Sequence, residues 1–171
     1  MYKLRELERK DIEIINSWRN DRALIANLGA PFRFINADID TAWYDNYLSS
    51  RNNTIRCSVV DEKDEIIALV SLTNIDRLNQ TAVIHIMVGS EENCGKGIGT
   101  FAMSNMIKHA FYDMNLRRIE LSVLEENIRA QRLYKKIGFQ VEGMRREAVY
   151  KDGMYKNMYL MSLLKSEYKG I

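Results

Sequence analysis

Apolar positions along this chain recur with two periods, near two and near 3.6, and the switches between them outline its elements. Tyr2–Leu7 alternates and predicts a short strand. Asp11–Asn20 carries Ile12, Ile15 and Trp18 at helical spacing, and the run around Trp43, Tyr47 and Leu48 does the same. Ile55–Asp61, a charged turn and Glu65–Asn74 read as an antiparallel hairpin. Thr81–Gly89 holds Ala-Val-Ile-His-Ile-Met-Val, nearly continuous in apolar residues, as in a central strand covered on both faces. Gly97 opens a helix with a stripe of Ile98, Phe101, Ala102, Met106, Ala110 and Phe111. Arg118–Val123 alternates again, with Ile119, Leu121 and Val123 opposite Glu120 and Ser122. Asn127 reads as the N-cap of a helix through Ala130, Leu133 and Ile137, which Gly138 stops. Two last strands, Val141–Tyr150 and Tyr155–Leu164, join through Asp152-Gly153. The order is strand, two helices, three strands, helix, strand, helix, two strands. It predicts an α/β fold of the α+β kind, a mixed sheet flanked by helices rather than a doubly wound alternation. With no repeat or linker, residues 1–171 read as a single domain.

Composition narrows the classes of function. The 25 basic residues are interleaved with 23 acidic ones, for a formal net charge of +2, which argues against a nucleic-acid partner. Cys57 and Cys94 stand far apart, with neither disulfide-framework nor metal-site spacing, and fit a reducing compartment. No apolar stretch reaches the roughly 18 residues of a membrane span, and the N-terminus lacks a signal-like apolar region. A cytoplasmic protein without membrane or metal is expected.

The chemistry concentrates in Cys94-Gly95-Lys96-Gly97-Ile98-Gly99-Thr100, between an apolar strand and a helix N-terminus. Alternate glycines allow close backbone approach, the amides converge, and the helix dipole adds its positive end, so a diphosphate suits the site. A tight turn with glycines for geometry alone is the other reading. The spacing breaks the dinucleotide fingerprint, because a third glycine counted from Gly95 falls on Thr100. Lys96 lies between glycines, unlike the closing Lys-Ser/Thr of a P-loop.

Gly95-Lys-Gly-Ile-Gly-Thr resembles the pyrophosphate loop of GNAT N-acetyltransferases, Gln/Arg-x-x-Gly-x-Gly/Ala. Further on, Asn127-Ile-Arg-Ala-Gln-Arg-Leu-Tyr134-Lys-Lys-Ile-Gly138-Phe139 resembles that family's Asn-x-x-Ala-x-x-Leu-Tyr-x-x-x-Gly-Phe. Ile15-Asn-Ser-Trp18-Arg19-Asn20 and Glu142-Gly-Met-Arg-Arg-Glu-Ala look like the branch acting on ribosomal-protein N-termini, spermidine and amino-sugar nucleotides. The resemblance implies a central sheet of about seven strands, splayed between the fourth and fifth, and acetyl-CoA as cofactor. It carries cofactor contacts onto Met87, Val88, Cys94, Gly95, Lys96, Gly97, Ile98, Gly99, Thr100, Asn127, Ala130 and Tyr134. Cys94 stands where the family has Gln or Arg and is expected to offer only its amide.

Direct attack by a primary amine in a ternary complex follows from the resemblance, with a backbone amide near Met87–Val88 polarising the thioester and Tyr134 facing the departing thiolate. The base is open between His85, the one polar residue of its strand, and Glu120, on the face of Ser122. Each also has a plain reading, as a core histidine or a solvated carboxylate. Trp18, Arg19, Asn20 and Tyr150, with Trp43 and Tyr44, are candidates for the acceptor pocket. A polyamine would need an acidic lining, for which Glu8, Asp11, Glu13 and Asp38 are available. Arg19 and Arg33 would suit a phosphate or carboxylate instead. A small-molecule or peptide amine acceptor is therefore expected, a homodimer is left open, and a catalytically silent acyl-CoA sensor is the competing class.

Overall fold

A computed structural model describes residues 1–170. Seven strands form one sheet: Lys3–Glu6 (β1), Ile55–Val60 (β2), Ile66–Asp76 (β3), Thr81–Val88 (β4), Arg118–Leu124 (β5), Gln140–Lys151 (β6) and Met154–Leu164 (β7), in the order β1-β2-β3-β4-β5-β7-β6. Only β4 and β5 run parallel, so the sheet is mixed, as the element order predicts. The β6–β7 turn places Asp152 at φ 49° and Gly153 at φ 81°, the two positive angles that an Asp-Gly hairpin needs.

Helices Ile12–Arg19 (α1) and Ala37–Ser49 (α3) cover one face, burying Ile12, Ile15, Trp18, Tyr44 and Tyr47 with Leu69 and Met87. Ile98–Lys108 (α4), its π-helical extension His109–Asp113, and Ile128–Ile137 (α5) cover the other, where Ile98, Ala102, Met106, Ala110 and Phe111 form the predicted stripe. Asn127 caps α5 by accepting from the Ala130 amide at 3.0 Å, and Gly138, at φ 115°, ends it. A further helix, Arg22–Ala26 (α2), is capped by the Asp21 side chain, which accepts from Ala23 and Leu24. No helix among the described residues is long and apolar enough to cross a membrane.

One irregularity in the sheet positions the candidate site. β4 pairs with β5 only through Thr81–Val83 against Arg118–Glu120, and beyond that point the two strands separate. The phase of the flanking ladders fixes which backbone groups face the gap. Gly89 donates to Ile67 across the β3–β4 ladder, so the alternation of an antiparallel pair turns the amides of Met87, His85 and Val83 toward β3. Those of Ile84, Ile86 and Val88 face the gap. On the other strand, Lys165 to Arg117 and Glu125 to Asn157 bonds turn odd-numbered residues toward β7, leaving Ser122 toward the gap.

The ladder phase corrects one expectation. Met87 cannot offer its amide to a ligand in the gap, because β3 already takes it; Ile86 and Val88 are the available pair. The continuous apolar run also needs qualification. Ala82 and Ile84 enter the α4-side core and Met87 the α1–α3-side core, whereas His85 opens toward solvent.

Candidate active site

Gly95 and Gly97 take φ values of 79° and 82°, in the left-handed region that favours glycine. That geometry reverses the chain after β4 and leaves Gly97 as the N-cap of α4. Phe101 is the first residue to donate back into the helix, to Gly97 at 2.9 Å, so the amides of Ile98, Gly99 and Thr100 have no intrahelical acceptor. Among the described residues, those of Gly95, Lys96 and Gly97 donate to no protein acceptor either. Six consecutive amides are thus available at the positive end of a helix, which fits a diphosphate. Cys94 does not join them, because its amide is bonded to Glu91 at 2.9 Å. The expectation of a Cys94 amide contact is therefore withdrawn.

The loop opens onto a cavity of about 560 Å³ that includes Cys94, Gly95, Gly97, Gly99 and Thr100, then Ala130, Leu133 and Tyr134 of α5. Ile98 is instead buried in the core, 1% exposed, and Lys96 points to solvent; neither lines this cavity. Ile86 and Val88 form its wall on the β4 side, so the free strand edge continues directly from the amide cluster. An amide-bearing chain can pair with that edge as an added strand would. The residues present therefore fit a cofactor with a diphosphate and an amide-containing arm.

A second cavity of about 700 Å³ lies on the other side of the same gap. Asn27, Leu28, Ile86, Asn127 and Tyr134 line both, which makes them the junction. Tyr134 is 9% exposed, and its hydroxyl has no protein partner among the described residues. Burial pushes its pKa up to about 12, so the hydroxyl keeps its proton and acts as a donor. Asn127 is committed locally: besides capping α5, it donates to the Asn27 carbonyl at 2.8 Å and ties α5 to the end of α2.

Three polar side chains cross the floor of the second cavity in register. Arg56 of β2 lies opposite Ser71 of β3, and Ser71 lies opposite His85 of β4. Arg56 donates through Nη1 to Ser71 Oγ at 3.3 Å. Its Nε is buried without a hydrogen-bond partner among the described residues, an arrangement that ordinarily costs about 1–3 kcal/mol. His85 Nε2 lies 2.9 Å from Thr73 Oγ1. Crowding by the cavity walls, and then the Arg56 charge, lower the His85 pKa, so the imidazole is neutral at neutral pH.

Arg19 reaches this cavity from α1, bonded at 2.5 Å to Asp40, which is itself 0% exposed. The Arg19 and Arg56 guanidiniums lie 4.5 and 4.6 Å from the centre of the Trp43 indole. Trp43 is thus a cavity wall and Tyr44 a core residue.

Four other expected residues are elsewhere. Trp18 is core: its ring lies within 2.1 Å of where a Cβ on Gly89 would stand, so the glycine makes room for it. Asn20 exchanges hydrogen bonds with Ile35, which fixes the loop after α2, and does not line the cavity. Tyr150 is 58% exposed and packs edge-on against Tyr155 outside the cavity. Glu120 shares a face with Ser122, but Arg118 holds its carboxylate at 2.9 Å and only Ser122 reaches the cavity. A relay from Glu120 is therefore dropped. Nor do Glu8, Asp11, Glu13 and Asp38 gather there; Asp11 is 2% exposed and bonded to Arg5 and Ser58.

Sequence reasoning missed Ile86, Ser71 and Arg56. Neither member of the polar pair stands out in its strand, because Ser58 accompanies Arg56 in β2 and Thr73 accompanies Ser71 in β3. Also missed was Lys151, 6% exposed, whose ammonium donates to the Ile25 and Ala30 carbonyls and fixes the segment roofing the cavity.

Residues 2–140 match the family described as acetyltransferase (GNAT) domain. The chain is 31% identical to the uncharacterised N-acetyltransferase p20 of Bacillus licheniformis over 98% of its length and 94% of that protein's. It is 30% identical to a spermidine N(1)-acetyltransferase of Vibrio cholerae, covering 96% of this chain and 94% of the relative. Among solved structures, Vibrio cholerae spermidine N-acetyltransferase in complex with CoA and spermine superimposes with a TM-score of 0.90 at 28% identity. That match covers 98% of this chain and 97% of the other.

Proposed function

Since the chain belongs to the GNAT acetyltransferase family, we propose that it moves acetyl from acetyl-CoA to the primary amine of a small acceptor by direct attack within a ternary complex. It is an acetyl-CoA-dependent N-acetyltransferase. The carrying observation is the gap between β4 and β5, with its free amides on one side and the second cavity on the other.

Bound acetyl-CoA supplies the acetyl group already activated as a thioester. The amides of Gly95–Thr100 and the α4 dipole would hold the diphosphate, and the free edges of Ile84, Ile86 and Val88 would pair with the arm. Ile86 lines both cavities, which supports its amide as the group that polarises the thioester carbonyl. His85, neutral and open to the acceptor cavity, takes the proton that the amine must lose. Tyr134 donates a hydrogen bond to the departing sulfur. Full proton transfer from a hydroxyl of pKa about 12 to an ordinary thiolate, near ~8.5, would be uphill by roughly 5 kcal/mol. The hydrogen bond therefore stabilises charge as it develops, and the proton follows late if at all. Neighbouring cavities that share five residues let both reactants sit at once, which supports direct attack over an acetylated enzyme. Free Cys57 and Cys94 support a reducing, cytoplasmic setting.

Initial-rate thiol release, with acetyl-CoA and amine varied together, tests this reading. Intersecting double-reciprocal lines are expected. Parallel lines would indicate a covalent acetyl-enzyme, and coenzyme binding without turnover on any amine would indicate a sensor.

A further inference from the structure

The acceptor cavity has a lopsided charge. Arg19, Arg33, Arg56 and Arg145 all line it, and among the described residues no aspartate or glutamate does. Only Arg19 has a carboxylate partner among the described residues, the buried Asp40. Arg33, Arg56 and Arg145 have none there. Arg56 is the most constrained of the three. It is packed against Trp43, its Nε is buried without a partner, and its one side-chain bond is the long contact to Ser71. A guanidinium 4.6 Å from the centre of an indole, with donor capacity left over, suits a planar or tetrahedral anion.

Position ties this group to the reaction. Arg56, Ser71 and His85 are register partners on three adjacent strands, so the β2 and β4 backbones are two strand spacings apart, about 10 Å. An amine between His85 and Ile86 would leave the rest of a small acceptor lying over Ser71 toward Arg56. We propose that the acceptor is an amine that also carries an acid group, carboxylate or phosphate, and that Arg56 binds that group, aided by Arg33 and Arg145. This rests on the acetyl-transfer reading and names its substrate class. A polycation would face three unpaired like charges with no acid to meet it. The likeness to a polyamine acetyltransferase is one of overall fold, and the acid-free lining of this acceptor cavity argues against carrying over its acceptor.

The test uses acceptors paired so that only the acid group differs. Glycine against glycinamide probes a carboxylate, glucosamine 6-phosphate against glucosamine probes a phosphate, and spermidine probes the polycation. Thiol release is measured with wild type, Arg56→Met and Arg56→Lys, and acetyl-CoA Kd is measured for each. The acid-bearing member of at least one pair is expected to show a kcat/KM at least about tenfold above its acid-free twin and above spermidine. The pair that shows it identifies the acid. Arg56→Met should raise KM for that acceptor about tenfold or more and close the gap, with acetyl-CoA Kd unchanged. Arg56→Lys should restore part of the preference. Equal rates within both pairs, or spermidine as the best acceptor, would overturn the inference while leaving acetyl transfer standing. Thiol release with no amine at all would overturn the transfer reading itself.

Discussion

In the proposed reaction Tyr134 and His85 divide the proton work at the junction, and their environments push them in opposite directions. Burial raises the tyrosine to about 12 and so keeps it a donor. Crowding and the Arg56 charge lower the histidine and so keep it an acceptor. For a base whose pKa lies below the ordinary ~6.5, kcat should be flat at neutral pH and fall only as pH drops through that lower value. His85→Gln should remove this acid limb and lower the plateau. Tyr134→Phe should keep the limb but reduce kcat about 10- to 100-fold with little change in acetyl-CoA Kd. A pH–rate profile of wild type and both variants checks this; an acid limb surviving in His85→Gln would transfer the base role elsewhere. These residues were visible in the sequence for different reasons. His85 interrupts an apolar strand, whereas Tyr134 stands out only through its surrounding signature. Arg56 was passed over because an arginine in a half-buried strand looks like an ordinary surface residue until its register partners are known.

The strand–loop–helix unit of β4, Gly95–Thr100 and α4 is the proposed cofactor site, and its geometry depends on two left-handed glycines. A Cβ at Gly97 would meet no atom within 4 Å, so crowding is not the obstacle to substitution. The obstacle is φ 82°, which a β-branched residue adopts only with strain. Gly97→Val should therefore re-aim the amides and raise acetyl-CoA Kd about 100-fold, while the thermal melt stays cooperative. Calorimetric titration beside a melting curve checks it, and retained tight binding would place the diphosphate elsewhere. Most elements could be read from periodicity because each buries a regular stripe or face. α2 could not: it spans only Arg22–Ala26, and long-range ties from Asn127 and Lys151 fix the segment around it. The Cys94 amide and the Met87–Ile86 distinction were equally hidden. Both depend on hydrogen-bond phase, which a one-residue change in register reverses without altering the apolar pattern.

Taken whole, the molecule places two chemically distinct cavities on either side of one break in a sheet. Cores on both faces hold β4 in place while its far edge stays unpaired. The cofactor side offers backbone donors and needs little from side chains, which is why its motif is legible as glycine spacing. The acceptor side is assembled from α1, α3, the segment roofing it and β2–β4, so its charge appears only after folding. Local sequence therefore points to the coenzyme, and the proposal for the acceptor rests on the assembled pocket. A crystal structure with bound coenzyme A tests the arrangement most directly. The diphosphate should lie within hydrogen-bonding distance of amides between Gly95 and Thr100, with the arm along Ile84, Ile86 and Val88. A coenzyme bound away from that loop, or β4 and β5 zipped together beyond Val83, would contradict it.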